Sequence, residues 1–157
     1  MKKLLLLFIV PVIAVIGRAP AGQAGPLEGA GYRTEGPVRF VPLQIRIDPG
    51  GSPLAAYQFE LKAAKGRIRI VGVEGGSDPA FGRAPYYDPA ALAQDRIVIA
   101  AYSLDGRLPT GPVRVATIHL QVQGDVEPEY ELTLDAAADD HGDSISAKIT
   151  HEQGEVQ

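Results

Sequence analysis

The feature that most constrains this chain is an alternation of apolar and polar residues between Leu54 and Val73. Within it, Tyr57, Phe59 and Leu61 alternate with polar or charged residues, and a second run beginning at Ile68 repeats the pattern after a short break. A period of two places alternate side chains on opposite faces of an extended chain, as in half-buried strands. The stretch therefore predicts two consecutive core strands.

Similar short runs recur along the chain and are separated by turns rich in glycine and proline. These further predicted strands cover Val38–Ile47, Asp95–Ser103, Pro112–Gln123, Glu129–Asp135 and Ser144–Thr150. Seven or eight short strands with almost no helical periodicity are typical of two packed antiparallel sheets. The sequence therefore predicts an all-β fold, an antiparallel β-sandwich.

Two of these runs carry additional information. After Ile70 the apolar positions change parity, which indicates either a β-bulge or burial of both faces near the strand end. The run Asp95–Ser103 is apolar at both parities, which predicts a central strand covered on both faces.

A long loop, Glu74–Gln94, follows the second core strand. Asp88 before Pro89 predicts one short helical turn, because aspartate caps free N–H groups and proline suits the first helical position. The loop also contains Phe81, Tyr86 and Tyr87. These aromatic residues either fold back to seal the end of the sandwich or form a binding surface, since tyrosine combines an apolar ring with a hydrogen-bonding hydroxyl.

The N-terminus predicts export. Two lysines precede an apolar run and then small residues, the layout of a secretory signal peptide over residues 1–24, with cleavage after Ala21 or Ala24. The run is shorter than the roughly 20 residues that span a bilayer, so no membrane span is predicted in the mature chain; an uncleaved anchor or a buried helix are the alternatives. We expect a flexible leader over 25–37, one domain over 38–151, a polar tail over 152–157, and a periplasmic or extracellular location.

The charge of the chain restricts its partners. Removal of the signal peptide would take away three positive charges and shift the formal net charge from −4 to −7. An acidic protein lacks the clustered Lys and Arg that phosphates require, which argues against nucleic acid as a partner. The chain has no cysteine, so no disulfide stabilises the fold and its stability must come from the core.

An acidic segment between the last two predicted strands is the one candidate metal site. Asp135, Asp139, Asp140 and Asp143 offer the hard oxygen ligands that Ca²⁺ prefers, although their spacing does not fit an EF-hand. The other interpretation is a solvated hairpin turn in which Gly142 supplies positive φ. No cofactor is predicted, with Ca²⁺ in this turn as the alternative.

The sequence offers little for catalysis. It contains no cysteine nucleophile, no G-x-S-x-G elbow and no H-E-x-x-H spacing among its three histidines. We therefore predict that the protein is not an enzyme.

The segments LAAYQFELKAAKGRIRIVGVEGG, DRIVIAAYS, LPTGPVRVATIHLQVQG and LTLDAAADDHGDSISAKI together resemble a cohesin-type domain. The superfamily also contains family 2 and family 3 carbohydrate-binding modules. The resemblance implies a non-catalytic jelly-roll β-sandwich of about eight to nine strands. Cohesins bind calcium-loaded dockerins and so assemble polysaccharide-degrading enzymes, whereas their relatives bind glycans directly.

The function that follows is an exported binding module that docks another protein, dockerin-like or an envelope partner, in a polysaccharide-related context. One alternative is a module that binds extracellular polysaccharide directly. Another is a structural envelope component, with or without stabilisation by calcium.

Overall fold

The computed structural model describes residues 36–154, which form two antiparallel sheets of four strands each. The eight strands are β1 (Val38–Asp48), β2 (Ala56–Lys65), β3 (Arg67–Gly75), β4 (Tyr86–Tyr87), β5 (Arg96–Tyr102), β6 (Val113–Gln123), β7 (Glu129–Ala138) and β8 (Lys148–Gln153). The predicted all-β sandwich is confirmed. The predicted signal peptide, leader residues 25–35 and tail residues 155–157 lie outside the described residues.

The first sheet has the strand order β3-β6-β1-β8 and the second has the order β4-β5-β2-β7. The consecutive strands β2 and β3 therefore lie in different sheets. Their alternating apolar residues, Phe59 and Leu61 on one side and Ile68 and Ile70 on the other, belong to one buried cluster. The alternation that predicts the two strands thus supplies both layers of the core.

The core is aliphatic. Its large, fully buried side chains come from both sheets and include Leu43, Ile45, Ile47, Phe59, Leu61, Ile70, Ile97, Ile99, Ile118 and Leu120. Burying a side chain of this size contributes roughly 1.5–3 kcal/mol. This interior explains how a chain without disulfides can hold two sheets together.

The parity change after Ile70 is a β-bulge, because the register between β3 and β6 shifts between Ile70 and Gly72.

The last strand differs from its predicted bounds. Ser144 forms only an isolated bridge to Ala138, and β8 runs instead to Gln153, which pairs with Leu43. The side chains of β8 are largely exposed. Its last residues are polar and do not alternate with apolar ones, so the sequence does not indicate that their backbone is paired.

The prediction that the fifth strand is covered on both faces is wrong. Ile97 and Ile99 are buried, but Val98 is 39% exposed and Tyr102 is 61% exposed on the opposite face. No described residue forms a second layer there. The apolar residues at both parities of β5 therefore mark an apolar surface.

The long loop after β3 contains two 3₁₀ turns where the sequence predicted one. The predicted turn is Pro89–Ala91, capped by the side chain of Asp88, and the additional turn is Pro79–Phe81, capped in the same way by Asp78. Both begin with the same Asp-Pro signal. Across residues 36–154 the chain contains no helix long and apolar enough to cross a membrane.

Candidate binding surface

The outer face of the second sheet is divided into two halves along its strands. At one end, two cross-strand rows form what we call the apolar half, namely Tyr86, Ala100, Gln58 and Ala136 in one row and Tyr102, Ala56 and Ala138 in the other. At the other end, the charged half consists of Arg96, Lys62 and Glu131 in one row, Val98, Glu60 and Thr133 in the next, and the pair Lys65 and Glu129.

Two tyrosines dominate the apolar half. Tyr86 is 67% exposed and Tyr102 is 61% exposed, although both are large hydrophobic side chains. Their ring centroids are 6.1 Å apart and their planes differ by only 7°, so the rings lie parallel. Parallel exposed rings offer apolar area together with hydroxyl groups, a combination that is enriched at binding interfaces.

The other residues of the apolar half have mostly short side chains. Four of its residues are alanines, so the tyrosines stand above a floor of methyl groups next to a depression of about 260 Å³. A larger cleft of about 500 Å³ opens beside the tyrosines, between residues 79–86 and 101–105. Leu104 lies at this cleft and is 91% exposed. The surface therefore combines exposed apolar anchors with adjacent concavities.

The structure separates the three aromatic residues that the sequence grouped together. In β4, Tyr86 pairs with the outward-facing Ala100 and Tyr87 pairs with the buried Ile99. Consecutive residues of a strand point to opposite faces. Tyr87 is therefore half-buried against the core and Phe81 is only 3% exposed, which leaves Tyr86 as the member of the group that can contact a ligand.

Phe81 instead anchors the loop that positions Tyr86. Its ring packs edge-on against Tyr57, with centroids 5.1 Å apart. The hydroxyl of Tyr57 donates a hydrogen bond to the backbone oxygen of Val115 at 3.1 Å, and burial raises the pKa of Tyr57 above its ordinary value. Phe81 therefore folds back onto the core, as one of the two interpretations of the aromatic residues expects.

Tyr102 is the surface residue that sequence reasoning missed. It shares the parity of Val98 and Ala100 in β5, but its proximity to Tyr86 depends on the pairing of β4 with β5. The residue after it is fixed, because the backbone N–H of Ser103 donates to the oxygen of Ala55 at 2.8 Å. The available signal for such a surface is a run that is apolar at both parities, but the same pattern also predicts a strand buried on both faces.

The acidic segment forms a turn after β7. Asp135 lies outside this turn, on β7, and accepts a hydrogen bond from Gln58 at 3.4 Å. In the turn, Oδ1 of Asp139 accepts the backbone N–H groups of His141 and Asp143, both at 2.9 Å. These bonds are those of a capped turn, and Gly142 has the expected positive φ, 85°. The turn does not close a β-hairpin, because β7 and β8 lie in different sheets and only an isolated bridge joins Ala138 to Ser144.

Metal-ligating atoms do approach each other in this turn. Those of Asp139, Asp140 and His141 lie within 4.8 Å of one another. This group includes His141 and omits Asp135 and Asp143, so it differs from the set of four aspartates that the sequence grouped. The sequence predicts no cofactor, with calcium in this turn as the alternative, and the choice between the two stays a prediction.

The charged half is internally paired. Lys65 contacts Glu129 at 2.8 Å, Lys62 lies 3.9 Å from Glu131, and Arg96 contacts Glu60. The hydrogen bond from Arg96 lowers the pKa of Glu60, and the hydrogen bond to Glu129 raises the pKa of Lys65. These long side chains are thus occupied with one another, in contrast to the tyrosines.

The chain matches no protein-family model, no curated protein and no solved structure. The resemblance to cohesin-type domains therefore stays a prediction, and the functional argument depends on the surface itself.

Proposed function

We propose that this protein is an exported, non-catalytic binding module that docks a protein partner through the apolar half of the second sheet. The cohesin-like context predicted from the sequence, with a dockerin-like or envelope partner in a polysaccharide-related assembly, is part of this proposal. The observation that carries it is the parallel pair of exposed tyrosines, Tyr86 and Tyr102, beside a floor of alanines.

Two physical arguments support docking at this face. Exposed apolar groups clustered in one area and bordered by polar residues are typical of interaction sites, whereas isolated ones are normal. Interface energy is also concentrated in a few residues, among which tyrosine is enriched. Tyr86, Tyr102 and Leu104 are clustered around one cleft, and the alanine floor allows a partner to approach closely.

The test compares aromatic residues on the two outer faces. Phe40 is 60% exposed on the outer face of the first sheet, so Phe40→Ser is a matched control for the double variant Tyr86→Ser/Tyr102→Ser. We expect the double variant to lose binding to proteins exported by the same cell, while Phe40→Ser retains it. Loss of the same partner from Phe40→Ser alone would place the docking face on the other sheet.

Direct binding of a polysaccharide is the second candidate, and the parallel tyrosine rings favour it because an aromatic face can stack on a sugar ring. The absence of tryptophan, which offers a larger face, weighs against it. Retention of the protein by insoluble polysaccharides, abolished in Tyr86→Ser/Tyr102→Ser and kept in Phe40→Ser, would establish glycan binding in place of protein docking.

A further inference from the structure

The apolar half has an acidic border. On the β4 side, Asp88 lines a shallow depression together with Tyr86 and Ala100, and Asp105 lines the cleft at Tyr86 and Tyr102. On the β7 side, Asp135 adjoins Ala136, and Asp139 and Asp140 follow Ala138 in the chain. Acidic residues therefore flank the alanine floor on both sides.

These carboxylates differ from those of the charged half. Within residues 36–154, none of Asp88, Asp105, Asp135 and Asp139 forms a salt bridge with lysine or arginine. Asp140 contacts His141 at 3.1 Å. Arg83 lines the cleft together with Asp105, and Arg107 lines a neighbouring depression that also includes Asp105, so two arginines stand among the five aspartates of the border. Arg96 of the charged half also acts electrostatically on Asp135. With five aspartates against the two arginines, the border has a net negative charge.

We propose that the partner docked on the apolar half presents a basic segment, with apolar side chains against the alanine floor and Lys or Arg side chains at the acidic border. This inference rests on the proposed function, since it names the chemistry of the partner at that same face. Complementary charges at the border of an interface steer association and exclude wrong partners. An acidic partner would instead meet like charges on two sides of the floor.

Three synthetic peptides of equal length test the inference. They share the same leucine and alanine positions and carry lysine, glutamine or glutamate at every polar position. Each is titrated into the isotope-labelled protein, and binding is followed by the backbone amide resonances of β5 and β7. We expect the lysine peptide to bind about tenfold tighter than the glutamate peptide at low salt, because several exposed ion pairs add together.

Two variants locate the effect. Asp105→Asn/Asp135→Asn should reduce the preference for the lysine peptide severalfold, whereas Asp125→Asn, which changes an exposed aspartate in the distant turn between β6 and β7, should leave it unchanged. Raising the ionic strength to about 0.15 M should also reduce the preference, since exposed charges are screened. Unchanged preference in Asp105→Asn/Asp135→Asn would overturn the acidic border as its cause.

The outcomes separate this inference from the proposed function. If Tyr102→Ser weakens all three peptides but the glutamate peptide binds as tightly as the lysine peptide, the docking face stands and its basic partner is rejected. If Tyr102→Ser affects no peptide, or only a soluble polysaccharide shifts these resonances, the protein-docking function itself is rejected.

Discussion

The two halves of the outer face of the second sheet are built on the same strands but differ in how their side chains are satisfied. In the charged half, Arg96 contacts Glu60 and Lys65 contacts Glu129. The long charged side chains therefore pair with one another across neighbouring strands. In the apolar half, Tyr86 and Tyr102 contact each other and remain more than half exposed. Among the described residues, the charged half therefore has its large side chains paired, whereas the apolar half leaves its largest side chains exposed to solvent.

The energetics agree with this division. Exposed ion pairs such as those of the charged half contribute little to stability, because water and salt screen the attraction between them. The charged side chains have a stronger effect on association, because an apolar surface that docked on them would have to remove their water. The apolar half has no such protection, and the loop that carries Tyr86 is anchored in the core by Phe81. A buried contact, between Phe81 and Tyr57, thus holds the loop that carries the exposed ring of Tyr86.

The largest expected effect concerns that loop. Gly76 lies so close to the first sheet that a Cβ atom there would be 2.0 Å from the backbone oxygen of Arg114. We expect Gly76→Ala to reduce the free energy of unfolding by about 3 kcal/mol, because backbone cannot move aside as a side chain can. Denaturant unfolding measures this, with Gly111→Ala as the control, since its Cβ would meet nothing within 4 Å. Equal stability of the two variants would show that the loop is not held by this contact.

The second prediction compares the two halves on one strand. Ala136 and Thr133 are both exposed on β7, but Ala136 lies in the floor of the apolar half and Thr133 lies in the charged half. We expect Ala136→Arg to weaken binding of a partner by about 30-fold, or about 2 kcal/mol, because the long side chain fills the floor. Thr133→Arg should have little effect. Titration calorimetry with the lysine peptide measures both, and equal losses would contradict the division of the face.

The sequence predicts the two halves unequally, for a physical reason. Alternation in β2 identifies which of its residues face outward, because this parity is a local property of the strand. β5 is apolar at both parities and gives no such signal. Which outward residues are neighbours depends on strand register and on the loop that brings β4 beside β5. The sequence therefore does not identify Tyr102 as the neighbour of Tyr86, and it groups Tyr86 with Tyr87 because the two are consecutive.

The buried core can be predicted from the sequence without knowing which strands are neighbours. The apolar residues of β1, β2 and β6 follow the alternation along most of their length, so the sandwich could be predicted without its strand order. The interpretation of β5 failed because Val98 and Ala100 are apolar on a face that no described residue covers. Periodicity reports polarity alone, and an exposed apolar face gives the same sequence pattern as a buried one.

The smallest effect is expected in the charged half and depends on pH. Arg96 lowers the pKa of Glu60 below its ordinary value of 4.5, so the ionised carboxylate stabilises the folded state. This contribution is fully present above the pKa of the unfolded chain and is lost as pH falls through the lower pKa of the folded state. Wild type should be slightly more stable than Glu60→Gln near neutral pH, and the difference should shrink as the solution is acidified below about pH 4.5.

Denaturant unfolding across this pH range checks the prediction, with Asp125→Asn as a control because Asp125 is not among the described ion pairs. The expected signature is convergence of Glu60→Gln with wild type in acid, together with unchanged binding of the lysine peptide at neutral pH. Since Glu60 lies in the charged half, a loss of binding in Glu60→Gln would mean that this half also contacts the partner. The face would then act as one surface, and its division into a closed and an open half would be wrong.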